Sequence, residues 1–372
     1  MAETRRALLI GTRPEAVKLM PVARALRAAG QPPWVFVTGQ HSEMLRPLLH
    51  TLDLAPDEDL ALMAPDQDLG DLSARLLVAL GALLRRRRPD VLVVQGDTTS
   101  VAMGALAAFY EGVRVAHVEA GLRTHAARDP FPEELNRRLA ACLAELHFAP
   151  TERARRNLLA EGVPEEIIHV VGNTAVDAAR HVRDHVLPGL PPDPALAPLL
   201  RAPALLLVTA HRRESFGAGL LALAEALVVL AERFGERLAI AYPVHRNPHV
   251  DGPMRARLSG RPNLHLLPPL DYPRFQALLN RARLVLTDSG GVQEEAAALG
   301  VPLLVARRAS ERPEALECGL GELVGLDTGR IVAAAARLLE DDAEHARRAR
   351  ASDVFGDGRA GERIARLLLA RT

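Results

Sequence analysis

The sequence predicts an α/β protein made of two similar doubly wound domains. Three observations carry this: short apolar runs alternate with longer amphipathic segments, the alternation occurs twice, and a proline-dense stretch separates the two series. At 372 residues and 48% hydrophobic content, the chain is too long for one compact core.

In chain order, residues 7–10, 34–37, 91–94, 113–118 and 168–171 read as buried parallel strands joined by helices, giving a first domain over 1–186. Residues 187–203, LPGLPPDPALAPLLRAP, hold too many prolines for a long regular element and read as a linker. A second domain over 204–358 repeats the pattern with strands at 205–208, 238–241, 264–267, 284–287 and 302–305. Residues 359–372 form an amphipathic helix after a turn containing Gly356 and Gly358, expected to cross back onto the first domain. Ligands of such folds bind beyond the carboxyl ends of the strands, so the expected site is a cleft between the domains.

Composition narrows the partners. Acidic and basic residues balance at 46 each, which argues against nucleic acid or an anionic membrane and for a small molecule. Cys142 and Cys318 make neither a disulfide framework nor a metal knuckle, so a reducing, cytoplasmic setting is expected. The start of the chain lacks a signal-peptide core, and no apolar run approaches the roughly 20 residues that span a bilayer. Three features read as structural: the arginines at 85–88 as a solvated helix end, the glycines at 217 and 219 as a helix start, and His245 with His249, which lack a third metal ligand. No metal and no cofactor are expected.

Candidate chemistry clusters at strand ends. Gly11-Thr12-Arg13-Pro14-Glu15-Ala16-Val17-Lys18 puts two cations at a helix start, a corner suited to an anion. Lys18 is the only lysine of this arginine-rich chain. Asp97, in Gly96-Asp97-Thr98-Thr99-Ser100, reads equally as a helix N-cap and as a catalytic carboxylate. Glu119, in His117-Val118-Glu119-Ala120-Gly121, emerges at the same sheet edge, and Glu133 opens a helix after Pro130-Phe131-Pro132. In the second domain, His211, Arg212 and Arg213 follow the first strand, and His211 can titrate near neutrality. Ser289-Gly290-Gly291 is a glycine turn whose backbone amides suit a diphosphate, with Glu295 placed to accept ribose hydroxyls.

Taken together, the ordered motifs GTRPEAVKLMPV, GDTTS, HVEAGLRT, PFPEELNR, GNTAVDA, TAHRRESFG, PVHRNP, TDSGGVQEEA and ERPEA resemble those of the non-hydrolysing UDP-N-acetylglucosamine 2-epimerases. The resemblance spans nearly the whole chain and implies a GT-B fold of two Rossmann-like domains and a cytoplasmic homodimer serving cell-surface polysaccharide synthesis. It implies that Arg13, Lys18, Ser289, Gly290, Gly291, Glu295 and Arg312 hold UDP and that Phe275 lines the uracil. It implies Asp97, Glu119, Glu133 and His211 as the catalytic set, and an activating UDP-GlcNAc touching Gln40, His41, Arg212 and His245. The chain departs from the family pattern at Glu43, at residues 125–129 (HAARD), at residues 308–310 and at Leu270.

The implied reaction interconverts UDP-GlcNAc and UDP-ManNAc. The C2 proton is not acidified by a carbonyl, so elimination of UDP to a 2-acetamidoglucal and its re-addition is the expected route. Alternatives are a hydrolysing epimerase releasing UDP and ManNAc, a GT-B glycosyltransferase, and a non-catalytic UDP-sugar sensor.

Overall fold

A computed structural model describes residues 5–39, 42–63, 67–212, 215–308, 310 and 312–370. The chain divides into two compact units, residues 1–178 with 356–372, and residues 179–355.

The first unit is built on a seven-stranded parallel sheet: β1 (Arg6–Ile10), β2 (Trp34–Val37), β3 (Glu58–Asp59), β4 (Val91–Gln95), β5 (Arg114–Val118), β6 (Leu146–Ala149) and β7 (Ile168–Val170), in the order β3-β2-β1-β4-β5-β6-β7. Its central strands are buried along their whole length, as a sheet covered by helices on both faces requires. The C-terminal helix Ala360–Ala370 packs against the helix Arg13–Ala28, where a side chain at Gly361 would stand 2.7 Å from the backbone of Pro21. Asp177 anchors that helix by accepting the Gly361 N–H at 2.8 Å.

The second unit carries six parallel strands: β8 (Ala204–Thr209), β9 (Leu238–Pro243), β10 (Leu264–Leu267), β11 (Leu284–Thr287), β12 (Leu303–Val305) and β13 (Gly321–Leu323), in the order β10-β9-β8-β11-β12-β13. The helix Ala218–Phe234 buries Leu220, Leu223, Leu227 and Leu230 against this sheet. All ten strands expected from the sequence are present, in an α/β fold of two parallel sheets. β3, β6 and β13 are additional.

The proline-rich stretch 187–203 differs from a bare linker. It belongs to the second unit, where Leu196 and Leu199 are buried and Arg281 donates to the carbonyls of Leu200 and Ala202. Its prolines shorten the helices without preventing packing, since apolar residues fall between them. Pro248 likewise opens the helix Pro248–Leu258, with Asn247 as its cap.

In both sheets the strand order reverses direction at one place, between β1 and β4 and between β8 and β11. Crevices beyond the carboxyl ends of such strand pairs are where open α/β sheets bind ligands.

Candidate active site

In the first unit, the turns after β1 and β4 are neighbours. Gly11 is demanded by close approach: a Cβ there would meet Ser100 Oγ at 2.5 Å. The helix Arg13–Ala28 then starts with Pro14 in its first turn. Glu15 is buried and accepts from the backbone N–H groups of Gly11 and Thr12, and from the Thr98 hydroxyl at 2.7 Å. One carboxylate therefore ties the two turns together. Burial pushes the Glu15 carboxyl up to about 7, against the pull of those hydrogen bonds.

Asp97 sits in the second turn. Thr98 is the N-cap of the helix Thr99–Tyr110, its hydroxyl accepting the Val101 N–H at 3.3 Å, so the capping alternative for Asp97 falls away. The Asp97 carboxylate instead pairs with Arg137, and its backbone carbonyl accepts from Asn136 Nδ2 at 3.0 Å. Both partners lie on the helix Glu133–Leu143, whose first residue is the half-buried Glu133. His117 braces the same turn, its Nε2 lying 2.8 Å from the Gly96 carbonyl. Burial drives the His117 pKa down to about 3, so the ring is neutral, and a carbonyl can only accept; Nε2 therefore carries the proton.

Glu119 follows β5, the strand paired with β4. Its φ of +64° is left-handed, a conformation that costs a non-glycine residue on the order of 1 kcal/mol or more. Its carboxylate pairs with Lys18 and accepts from Asn173 Nδ2 at 3.2 Å. Both side chains of the pair are less than 10% exposed, at 9% and 7%. Removing one partner of such a buried pair typically costs about 3–5 kcal/mol, which makes the lone lysine a committed position.

In the second unit, Asp288 joins the turns after β8 and β11. Fully buried, it accepts the backbone N–H groups of His211 and Arg212 through Oδ2, each at 2.8 Å. Its Oδ1 lies 3.5 Å from His211 Nδ1. His245 stacks on the His211 ring at a centroid distance of 5.5 Å. Burial lowers the His211 pKa from its ordinary value; Asp288 opposes this, and Arg212 and His245 add to it.

The helix Gly290–Leu299 begins at Ser289 and Gly290, where the first N–H groups of a helix lack partners within it. Arg312 lies over this start: a Cβ on Gly290 would meet its guanidinium carbon at 2.8 Å, and Glu294 holds its Nε at 2.8 Å. A helix terminus beside a guanidinium is an anion site. One turn on, Glu295 accepts from the Tyr272 hydroxyl at 3.0 Å and from Gln276 Nε2 at 2.8 Å. Burial and the adjacent Glu295 push the Tyr272 phenol well above its ordinary value, so it remains a donor. Phe275 is half-buried on the same helix, Tyr272–Arg281.

The structure thus joins Lys18 to Glu119 directly, and the Arg13 and Asp97 turns through Glu15. Gln40 and His41, expected at an activator site, lie outside the described residues, as does Arg213. Sequence reading missed Glu15, His117, Arg137, Asn173, Asp288, Tyr272 and Gln276 as supports of the site. Most stood inside the motifs quoted above, but nothing in a linear spacing told which neighbour each would reach.

Comparison with known proteins gives a consistent answer. The family model described as UDP-N-acetylglucosamine 2-epimerase matches residues 24–369. The UDP-N-acetylglucosamine 2-epimerase of Salmonella typhimurium (strain LT2) is 46% identical, with 97% of each chain covered. That of Escherichia coli (strain K12) is 45% identical, with 96% of each covered. Among solved structures, the Neisseria meningitidis UDP-GlcNAc 2-epimerase bound to UDP-GlcNAc superposes with a TM-score of 0.92 at 36% identity, over 99% of this chain and 100% of that one.

Proposed function

The chain belongs to the UDP-N-acetylglucosamine 2-epimerase family, and from that premise we propose that it inverts C2 of UDP-GlcNAc reversibly, without hydrolysis. The observation that carries this is the treatment of Asp97 and Glu119, two carboxylates leaving adjacent paired strands, each held by a buried cation, Arg137 and Lys18. Carboxylates fixed in this way can take up and return a proton at one carbon with little reorganisation.

In the proposed reaction, a carboxylate of the Asp97, Glu119 and Glu133 set removes the C2 proton while the C1–O bond breaks, its electron pair leaving with the diphosphate. The product is a 2-acetamidoglucal. Arg13, Arg312, the Ser289 side chain and the amides at Gly290 and Gly291 stabilise the charge that develops on UDP, and His211 in its protonated form assists. Glu295 accepts the ribose hydroxyls and Phe275 flanks the base. Re-addition of UDP with proton delivery from the opposite face gives UDP-ManNAc. Arg212 and His245 are assigned to an activating UDP-GlcNAc.

Proton NMR of UDP-GlcNAc with the protein in deuterated buffer tests this. Deuterium at C2 of both epimers with little free UDP is expected. Stoichiometric release of UDP and ManNAc would instead establish the hydrolysing reaction, and an unexchanged C2 would point to transfer or to binding alone.

A further inference from the structure

Asp288 is wholly buried, yet among the described residues only one of its carboxylate oxygens finds a hydrogen-bond partner. Oδ2 takes the N–H groups of His211 and Arg212, while Oδ1 is buried without a hydrogen-bond partner, 3.5 Å from His211 Nδ1. A buried acceptor left with one unspent oxygen is most strongly satisfied by a donor that gains charge. We infer that Asp288 is a positioning residue for His211, holding the proton on Nδ1 so that Nε2 is the working nitrogen, and tightening onto the ring when it becomes an imidazolium.

The same carboxylate fixes the backbone of residues 211 and 212, so it sets both where the ring stands and which tautomer it adopts. Among the described residues, the other groups facing the ring are cationic or titratable, Arg212 beside it and His245 stacked on it, and neither supplies a carboxylate. The nearby Tyr242 hydroxyl is committed to the Ala210 carbonyl at 2.9 Å. This inference rests on the assignment of His211 made above.

The test is Asp288→Asn, assayed for UDP-GlcNAc epimerisation across pH. The amide keeps an oxygen for the two backbone donors but loses the charge. If His211 works protonated, activity is lost as pH rises through its pKa, and loss of the Asp288 charge moves that alkaline limb to lower pH by about one unit. A kcat about 10²-fold lower, with KM within about threefold, is expected alongside the shift. Wild-type kcat, or a reduced kcat with the limb unmoved, would overturn the inference. Should the variant fail to fold, ¹⁵N spectra of the histidine-labelled wild-type protein saturated with UDP decide it, with the His211 signal assigned by its loss in His211→Gln. The Nδ1–H form is expected of the neutral ring, and the Nε2–H form refutes the proposal. This second measurement needs no turnover, so it stands even if the protein proves not to epimerise UDP-GlcNAc.

Discussion

At the scale of single residues, the most informative position is Lys18, the one ammonium in a chain that otherwise uses arginine. Its partner Glu119 is held in a left-handed turn and bonded by Asn173, so Glu119 has little freedom to make room for a different head group. A guanidinium keeps the charge but brings a planar fork that must push Glu119 aside. Lys18→Arg is therefore expected to lower kcat/KM about 10²-fold, measured by steady-state epimerisation. Gly290 makes the matching case in the second unit. Alanine there would intrude on Arg312, whose guanidinium carbon stands 2.8 Å from the position of the new Cβ. Glu294 holds that guanidinium in place, so it cannot move without losing a buried ion pair. Titration calorimetry of Gly290→Ala with UDP should show a Kd raised about tenfold, equivalent to ~1.4 kcal/mol; an unchanged Kd would remove Arg312 and the helix start from the UDP site.

At the scale of elements, the strands were legible wherever four or more apolar residues ran together, as in Leu205 to Val208 or Val91 to Val94. β6, a four-residue LHFA strand, went unread although the equally interrupted β10 was read, and β13 escaped because Gly321 and Glu322 look like loop; both are recruited by neighbours already in the sheet. Candidate residues were legible because strand ends at a reversal in strand order expose polar side chains. Their braces were not, since Glu15 with Thr98, or Glu119 with Asn173, meet only after the sheet orders its strands. Gly121 shows what the packing of such an element demands. Its φ is +89°, and a Cβ would stand 2.2 Å from the Ala154 carbonyl oxygen of the helix Glu152–Ala160. Gly121→Ala should cost about 2–4 kcal/mol, read from urea unfolding, because both the backbone conformation and the contact are violated. A loss below ~0.5 kcal/mol would show that this helix can shift freely.

At the scale of the whole molecule, buried titratable groups of opposite sense share the first unit. Glu15 is pushed up to about 7 and Asp177 to about 6, while His117 and His147 are pushed down to about 3 and about 4, burial being the leading cause in each case. The carboxyls retain a proton when folded that they lose when unfolded. Their stabilisation is complete below the ordinary carboxyl range and vanishes as pH rises through 6 to 7. The histidines stay neutral when folded but take a proton when unfolded below about pH 6.5, so they withdraw stability as pH falls. Between roughly pH 4.5 and 6 the two slopes oppose each other, and stability there should be nearly flat. Glu15→Gln removes one carboxyl slope and leaves both histidine slopes. The amide keeps one acceptor oxygen, so only part of the hydrogen bonding from Gly11, Thr12 and Thr98 is lost, and that loss adds an offset that does not depend on pH. The stability of Glu15→Gln relative to wild type should therefore climb between pH 4.5 and 7, by an amount on the order of 3 kcal/mol, and stay constant above that. Urea unfolding of both proteins across that range is the measurement. A difference independent of pH would mean that Glu15 is already ionised when folded at pH 5, and that its three hydrogen bonds outweigh its burial.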